Sequence, residues 1–232
     1  MEKLTLGFVF RQTPFAVLYF IFGSFVGAIS SYVLFNINKN FLEFVISAWF
    51  KRILLGINLF GEKYNTFWFI LNNIIALLVV IVASLLILNH VSKTPEFAIT
   101  KKLKFLEKRR PKIMLTGLYM VPLGALLVNS FLISLFITYV FLNFGFERFF
   151  TVVLLLLPHG ITEVFALILA SSLGLAYLKI LSDLILKGKW KFCSKTLKEL
   201  IGSRVTLLII IFVIILVIFG GLIEGSLGNA IM

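Results

Sequence analysis

The chain has 232 residues, 60% of them hydrophobic and only 14% charged, with a formal net charge of +12. An average soluble domain holds about 45–50% apolar and about 25% charged residues, so this composition excludes a soluble single domain. The charge is also clustered, with 15 of the 22 Lys and Arg inside residues 93–112 and 179–204. That distribution fits cytoplasmic loops between membrane spans and argues against a nucleic-acid-binding face.

A helix needs about 18 or more apolar residues to cross a ~30 Å hydrocarbon core. In chain order, the uncharged run 12–38 predicts a first span at about 13–36. Arg11 and Gln12 interrupt the approach to it, and the run is too long for a secretory signal core, so the span is expected to stay uncleaved. Residues from about 40 to 61 are too charged to span. Glu43, Ser47, Lys51 and Asn58 share one side of a helical wheel, and Leu42, Val45, Trp49, Ile53, Ile57 and Phe60 the other. This is the pattern of an amphipathic helix lying in the outer interface. Further spans are predicted at about 65–91, 116–143, 151–179 and 205–228. A weaker amphipathic stretch at 187–204, with Trp190, Leu197, Leu200 and Ile201 on one side, is expected to rest on anionic lipid of the inner leaflet.

The expected fold is therefore all-α: one integral membrane domain, residues 1–232, with five transmembrane helices and an outer interfacial helix. With the N-terminus inside, cytoplasmic segments hold 17 basic residues and outer segments five. The excess predicts N-in, C-out in a multi-pass protein of the cell membrane. Cys193 is the single cysteine, so no internal disulfide forms, and the basic block that carries it faces the reducing cytosol. Gly23-xxx-Gly27, Ala170-xxx-Gly174 and Gly221-xxx-Gly225 each permit close helix approach, within one bundle or between the halves of a homodimer.

Ionisable and amide groups inside spans mark function or buried pairing. Here they are Asn72, Asn73, Asn129, His159, Glu163 and Glu224. Most fall in the outer half of their spans, which predicts a polar cluster there. In Leu157-Pro158-His159-Gly160-Ile161-Thr162-Glu163, Pro158 removes a backbone donor and Gly160 loosens the helix. The fourth span is either kinked or starts at Pro158. We read a break, since Pro fits the first helical turn, and this places His159 at a helix N-terminus.

Three chemistries fit such a cluster. His159 and Glu163, at i and i+4, are candidate metal ligands, but two ligands are too few and the two-His-and-Glu zinc pattern is absent. A proton relay or cation site is the second. The third is hydrogen bonding that locks the helices, at about 0.6 kcal/mol per bond. No catalytic residue and no cofactor is indicated.

The run from Leu157 to Glu163, followed by Ala170-Ser171-Ser172-Leu173-Gly174, resembles the signature of the stage II sporulation protein M (SpoIIM) family of integral membrane proteins. Asn72-Asn73 and Leu222-Ile223-Glu224 look like its other recurring features. The resemblance implies five spans with a cytoplasmic N-terminus. It marks Pro158, His159, Gly160, Glu163 and Glu224, and it implies a membrane partner that holds other proteins in place. The role expected from this is a non-catalytic scaffold organising partner proteins or membrane. A transporter or channel component using His159 and Glu163 is the alternative, and an intramembrane metal-dependent hydrolase the third reading. Expected partners are the lipid bilayer and membrane or extracytoplasmic proteins, not nucleic acid.

Overall fold

The structure is a computed structural model that describes residues 3–60, 65–93, 110–187 and 189–231. The side chains of Trp49, Asn72, Pro158, His159, Trp190 and Glu224, and most of the basic segment 93–112, lie outside the described residues. Among the described residues every regular element is a helix: α1 (Leu6–Phe10), α2 (Thr13–Ile37), α3 (Lys39–Phe60), α4 (Asn65–Lys93), α5 (Arg110–Leu186), α6 (Trp190–Ile201) and α7 (Arg204–Ile231). Among the described residues four stretches are long and apolar enough to cross a membrane: Leu6–Ile37, Lys112–Leu154, Gly160–Leu186 and Arg204–Ile223. Within α4, Asn73–Ala83 is a shorter apolar stretch. The molecule is a helical membrane protein.

Local chemistry sets the helix ends. Thr5 accepts a hydrogen bond from the Phe8 N–H at 3.1 Å and caps α1. Asn38 accepts from the Phe41 N–H at 3.0 Å and caps α3 one residue after α2 ends. Ser203 accepts from the Thr206 N–H at 3.2 Å and caps α7.

Inside α5 the backbone leaves helical geometry at Gly145 (φ 78°, ψ −177°). This conformation is open to glycine and closed to side chains. The Phe141 and Phe149 rings, on either side of it, meet edge to face at 5.5 Å. Eight residues of straight helix would separate their backbones by about 12 Å. The chain thus folds back at Gly145, and α5 is a hairpin of two helical arms, 110–144 and 146–186.

The second arm stays helical through Pro158, His159 and Gly160. The expected break at Pro158 is therefore corrected, and His159 does not begin a helix. A proline costs one helical hydrogen bond, which membrane helices tolerate when neighbours satisfy the freed group. Gly145 turns the chain at no steric cost, so the reversal occurs there.

The chain divides into two compact units. The first comprises residues 1–17, 77–125 and 168–213. Its axis is the second arm of α5, where residues 168–178 are buried without interruption. In the most apolar window of Gly160–Leu186, 83% of residues are buried, against 17–33% in the other three candidate spans. Other helices line this axis. Ser171 Oγ donates to the Pro122 carbonyl at 3.2 Å. A Cβ on Gly174 would lie 3.4 Å from Pro122 Cβ and 3.6 Å from the Val80 carbonyl. Ser172 Oγ reaches Thr13 Oγ1 at 3.3 Å, and Tyr177 reaches Thr206 Oγ1 at 2.7 Å.

The second unit comprises residues 18–76, 126–167 and 214–232. Here α2 packs on the first arm of α5 through Gly23 and Gly27. A Cβ on Gly23 would stand 2.8 Å from the Leu127 carbonyl oxygen, and one on Gly27 3.0 Å from Phe131 Cα. Helix α3 seats Leu42 and Ile46 against Leu135, with Leu34, Phe35, Phe131, Phe136 and Tyr139 around them. A side chain on Gly221 of α7 would collide with Ile70 of α4. Gly23, Gly27, Gly174 and Gly221 thus serve contacts within the chain.

Candidate functional site

Of the polar residues singled out from the sequence, Asn73 on α4 and Glu163 on the second arm of α5 come together. The Asn73 amide donates a hydrogen bond to Glu163 Oε1, across 90 positions of sequence. Both residues are half-buried. Glu163 lies one turn before the continuously buried stretch 166–178, so the carboxylate stands where that helix begins to be enclosed. Because the helix runs unbroken through this region, His159 occupies the position one turn before Glu163 on the same helical track.

Asn129 is exposed on the first arm of α5. Its neighbour Ser130 is buried, and its hydroxyl donates to the Leu127 carbonyl at 3.2 Å beside Gly23. Gly160 is half-buried, and an added Cβ would meet nothing within 4 Å. Its backbone space is therefore not used for helix contact, in contrast with Gly23, Gly27 and Gly221. Among the described residues no group of three or more His, Cys, Asp and Glu could hold a metal ion.

Two further polar assemblies have no counterpart in the sequence reading. In the second unit, Lys39 donates to Asn143 Oδ1 at 2.6 Å and pairs with Glu43 at 3.7 Å. Tyr139 donates to Glu43 at 3.2 Å, Asn143 donates to the Tyr139 hydroxyl at 3.4 Å, and the Lys39 ammonium lies 5.1 Å from the Phe35 ring centroid. The circuit joins the start of α3 to the end of the first α5 arm. Its signal was the i,i+4 spacing of Lys39 with Glu43 and of Tyr139 with Asn143, which becomes informative once the two helices meet.

In the first unit, Thr206 Oγ1 donates to the Leu200 carbonyl at 2.6 Å and accepts from Ser203 Oγ at 3.0 Å and from the Tyr177 hydroxyl. Tyr177 and Thr206 are both buried. This knot ties the turn between α6 and α7 to the axial helix. Ser203 before an apolar run is a legible cap; the pairing of Thr206 with Tyr177 is not.

The buried face of α6 is formed by Cys193, Thr196, Leu197 and Leu200. Ile201, expected on that face, is 47% exposed. The helix turns Cys193 inward because its two buried leucines lie four and seven residues after it. Burial pushes the Cys193 thiol from 9.0 up to about 11, which keeps it neutral and unreactive at physiological pH.

Comparison of the chain with protein-family models, with curated proteins and with solved structures returns no match.

Proposed function

We propose that the chain is a five-span protein of the cell membrane, N-terminus cytoplasmic and C-terminus outside, that acts as a non-catalytic scaffold for membrane or extracytoplasmic partner proteins. The observation that carries this reading is the Asn73–Glu163 hydrogen bond. The acid that a transporter would leave free to load protons or cations is engaged by an amide of a neighbouring helix. Ser171, Ser172, Tyr177 and Thr206 are likewise engaged with groups of the chain itself. Intramembrane polarity used this way fixes helices in place, which is what a platform for partners requires. The helical length of α4, 29 residues, supports a fifth crossing, and the 17-to-5 division of basic residues supports the orientation. The likeness of Leu157–Glu163 to SpoIIM proteins supports the same role.

The alternative is a transporter or channel component built on His159 and Glu163; the half-exposure of Glu163 favours it. Reconstitution of the full chain in vesicles carrying an internal pH dye separates the two. The scaffold reading expects the same proton leak from wild type, Glu163→Gln and empty vesicles. A flux seen with wild type and lost in Glu163→Gln replaces the scaffold with the transporter. Cross-linking in native membranes supplies the positive arm, where wild type and His159→Asn are expected to capture the same partner proteins.

A further inference from the structure

Helix α6 links two stretches that are long and apolar enough to cross a membrane, Gly160–Leu186 and Arg204–Ile223. Both its ends are therefore tethered at one face of the membrane, and its 12 residues form a rod of about 18 Å along that face. One side of the rod is committed to the protein through Cys193, Thr196, Leu197 and Leu200. The Thr206–Leu200 hydrogen bond fixes how the helix sits in its unit.

The opposite side is a cationic stripe. Positions 191, 195 and 198 recur at i, i+4 and i+7, half a turn from the buried face, and all are Lys. Lys195 and Lys198 are exposed, as are Lys187 and Lys189 before the helix and Arg204 after it. The acids in the same region are Asp183 and Glu199. Among the described residues the one ion pair is Lys39–Glu43, so Lys195 and Lys198 have no carboxylate partner there. On the two flanks of the stripe, Phe192 is 62% and Ile201 47% exposed. The outward surface of α6 thus alternates unpaired cations with apolar edges.

We propose that this surface binds the acidic headgroups of phospholipids in the leaflet on which α6 lies. Lys195, Lys198 and Arg204 engage the headgroup phosphates, while Phe192 and Ile201 enter the boundary with the acyl chains. Charge complementarity selects this occupant. A neutral headgroup offers no net charge to a cluster this basic, whereas each Lys near an anionic leaflet contributes favourably and in a salt-dependent way.

The test is native mass spectrometry of the full-length protein in micelles supplied with phosphatidylglycerol or with phosphatidylcholine of the same chains. Wild type is expected to retain phosphatidylglycerol preferentially, the more so at low salt. The double variant Lys195→Gln/Lys198→Gln is expected to lose roughly 30-fold of that preference, at about 1 kcal/mol per lysine. Continued shielding of Cys193 from alkylation reports that α6 is still folded in the variant. Equal retention of the two lipids by wild type overturns the proposal. So does an unchanged preference in the folded variant, which would leave the stripe to an acidic protein partner.

Discussion

Single residues decide how polarity is held inside this bundle. The Asn73–Glu163 bond joins two half-buried residues, so losing one partner leaves the other short of a hydrogen bond. Glu163→Leu is expected to lower stability by about 1–2 kcal/mol, measured by unfolding in mixed micelles. Glu163→Gln, which keeps an acceptor oxygen, should cost distinctly less. Equal stability of Glu163→Leu and wild type would remove the locking role. Cys193 provides a pH-dependent counterpart. Its thiol is raised from 9.0 to about 11 by burial, so the folded state favours the neutral form. Its contribution to stability is complete below about 9 and declines as pH rises towards 11. Alkylation at pH 8 should be slow in the native protein and fast once it is unfolded; rapid native labelling would contradict the burial.

At the level of elements, glycine occurs in three different settings, and each makes a different prediction. Gly23 and Gly27 let α2 touch the α5 backbone, so Gly27→Leu is expected to destabilise by about 1–3 kcal/mol through overpacking. Gly145 turns the hairpin in a conformation that side chains avoid, and Gly145→Ala should cost about 1–3 kcal/mol. Gly160 meets nothing. Gly160→Ala is therefore expected to be neutral or to gain up to about 1 kcal/mol of helix propensity. Midpoints of unfolding for the three variants check all of this, and a ranking with Gly160→Ala as the worst would refute it. The reversal between the third and fourth spans, expected between residues 143 and 151, falls at Gly145, whereas the break expected at Pro158 does not form. Proline removes one helical hydrogen bond, which a long apolar helix tolerates, whereas glycine beside Glu147 and Arg148 offers the reversal at no steric cost.

For the whole molecule, the decisive quantity is which ends and loops share a side of the membrane. The five crossings proposed above would place the N-terminus and C-terminus on opposite sides. Impermeant reagents applied to intact cells should therefore modify a cysteine placed after Met232 and spare one placed before Lys3, in a Cys193→Ala background. Modification of both or neither would mean an even number of crossings. The packing adds a second expectation at this scale. With Gly23, Gly27, Gly174 and Gly221 all turned to contacts within the chain, enlarging them should disturb folding before it changes any association between chains.

Membrane residence and the approximate helix ends were determined by the sequence itself. Both depend on the length of uncharged runs and on the placement of Lys and Arg, which are properties of the chain read one residue after another. The pairing of Asn73 with Glu163, the ring of partners around residues 168–178, the inward turn of Cys193 and the Lys39–Glu43–Tyr139–Asn143 circuit were decided by the tertiary structure alone. In lipid, an apolar side facing another helix and one facing acyl chains have similar hydropathy, so hydropathy carries no record of which helices touch. That choice is made by close packing at small residues and by the hydrogen bonds that few polar groups can find across it.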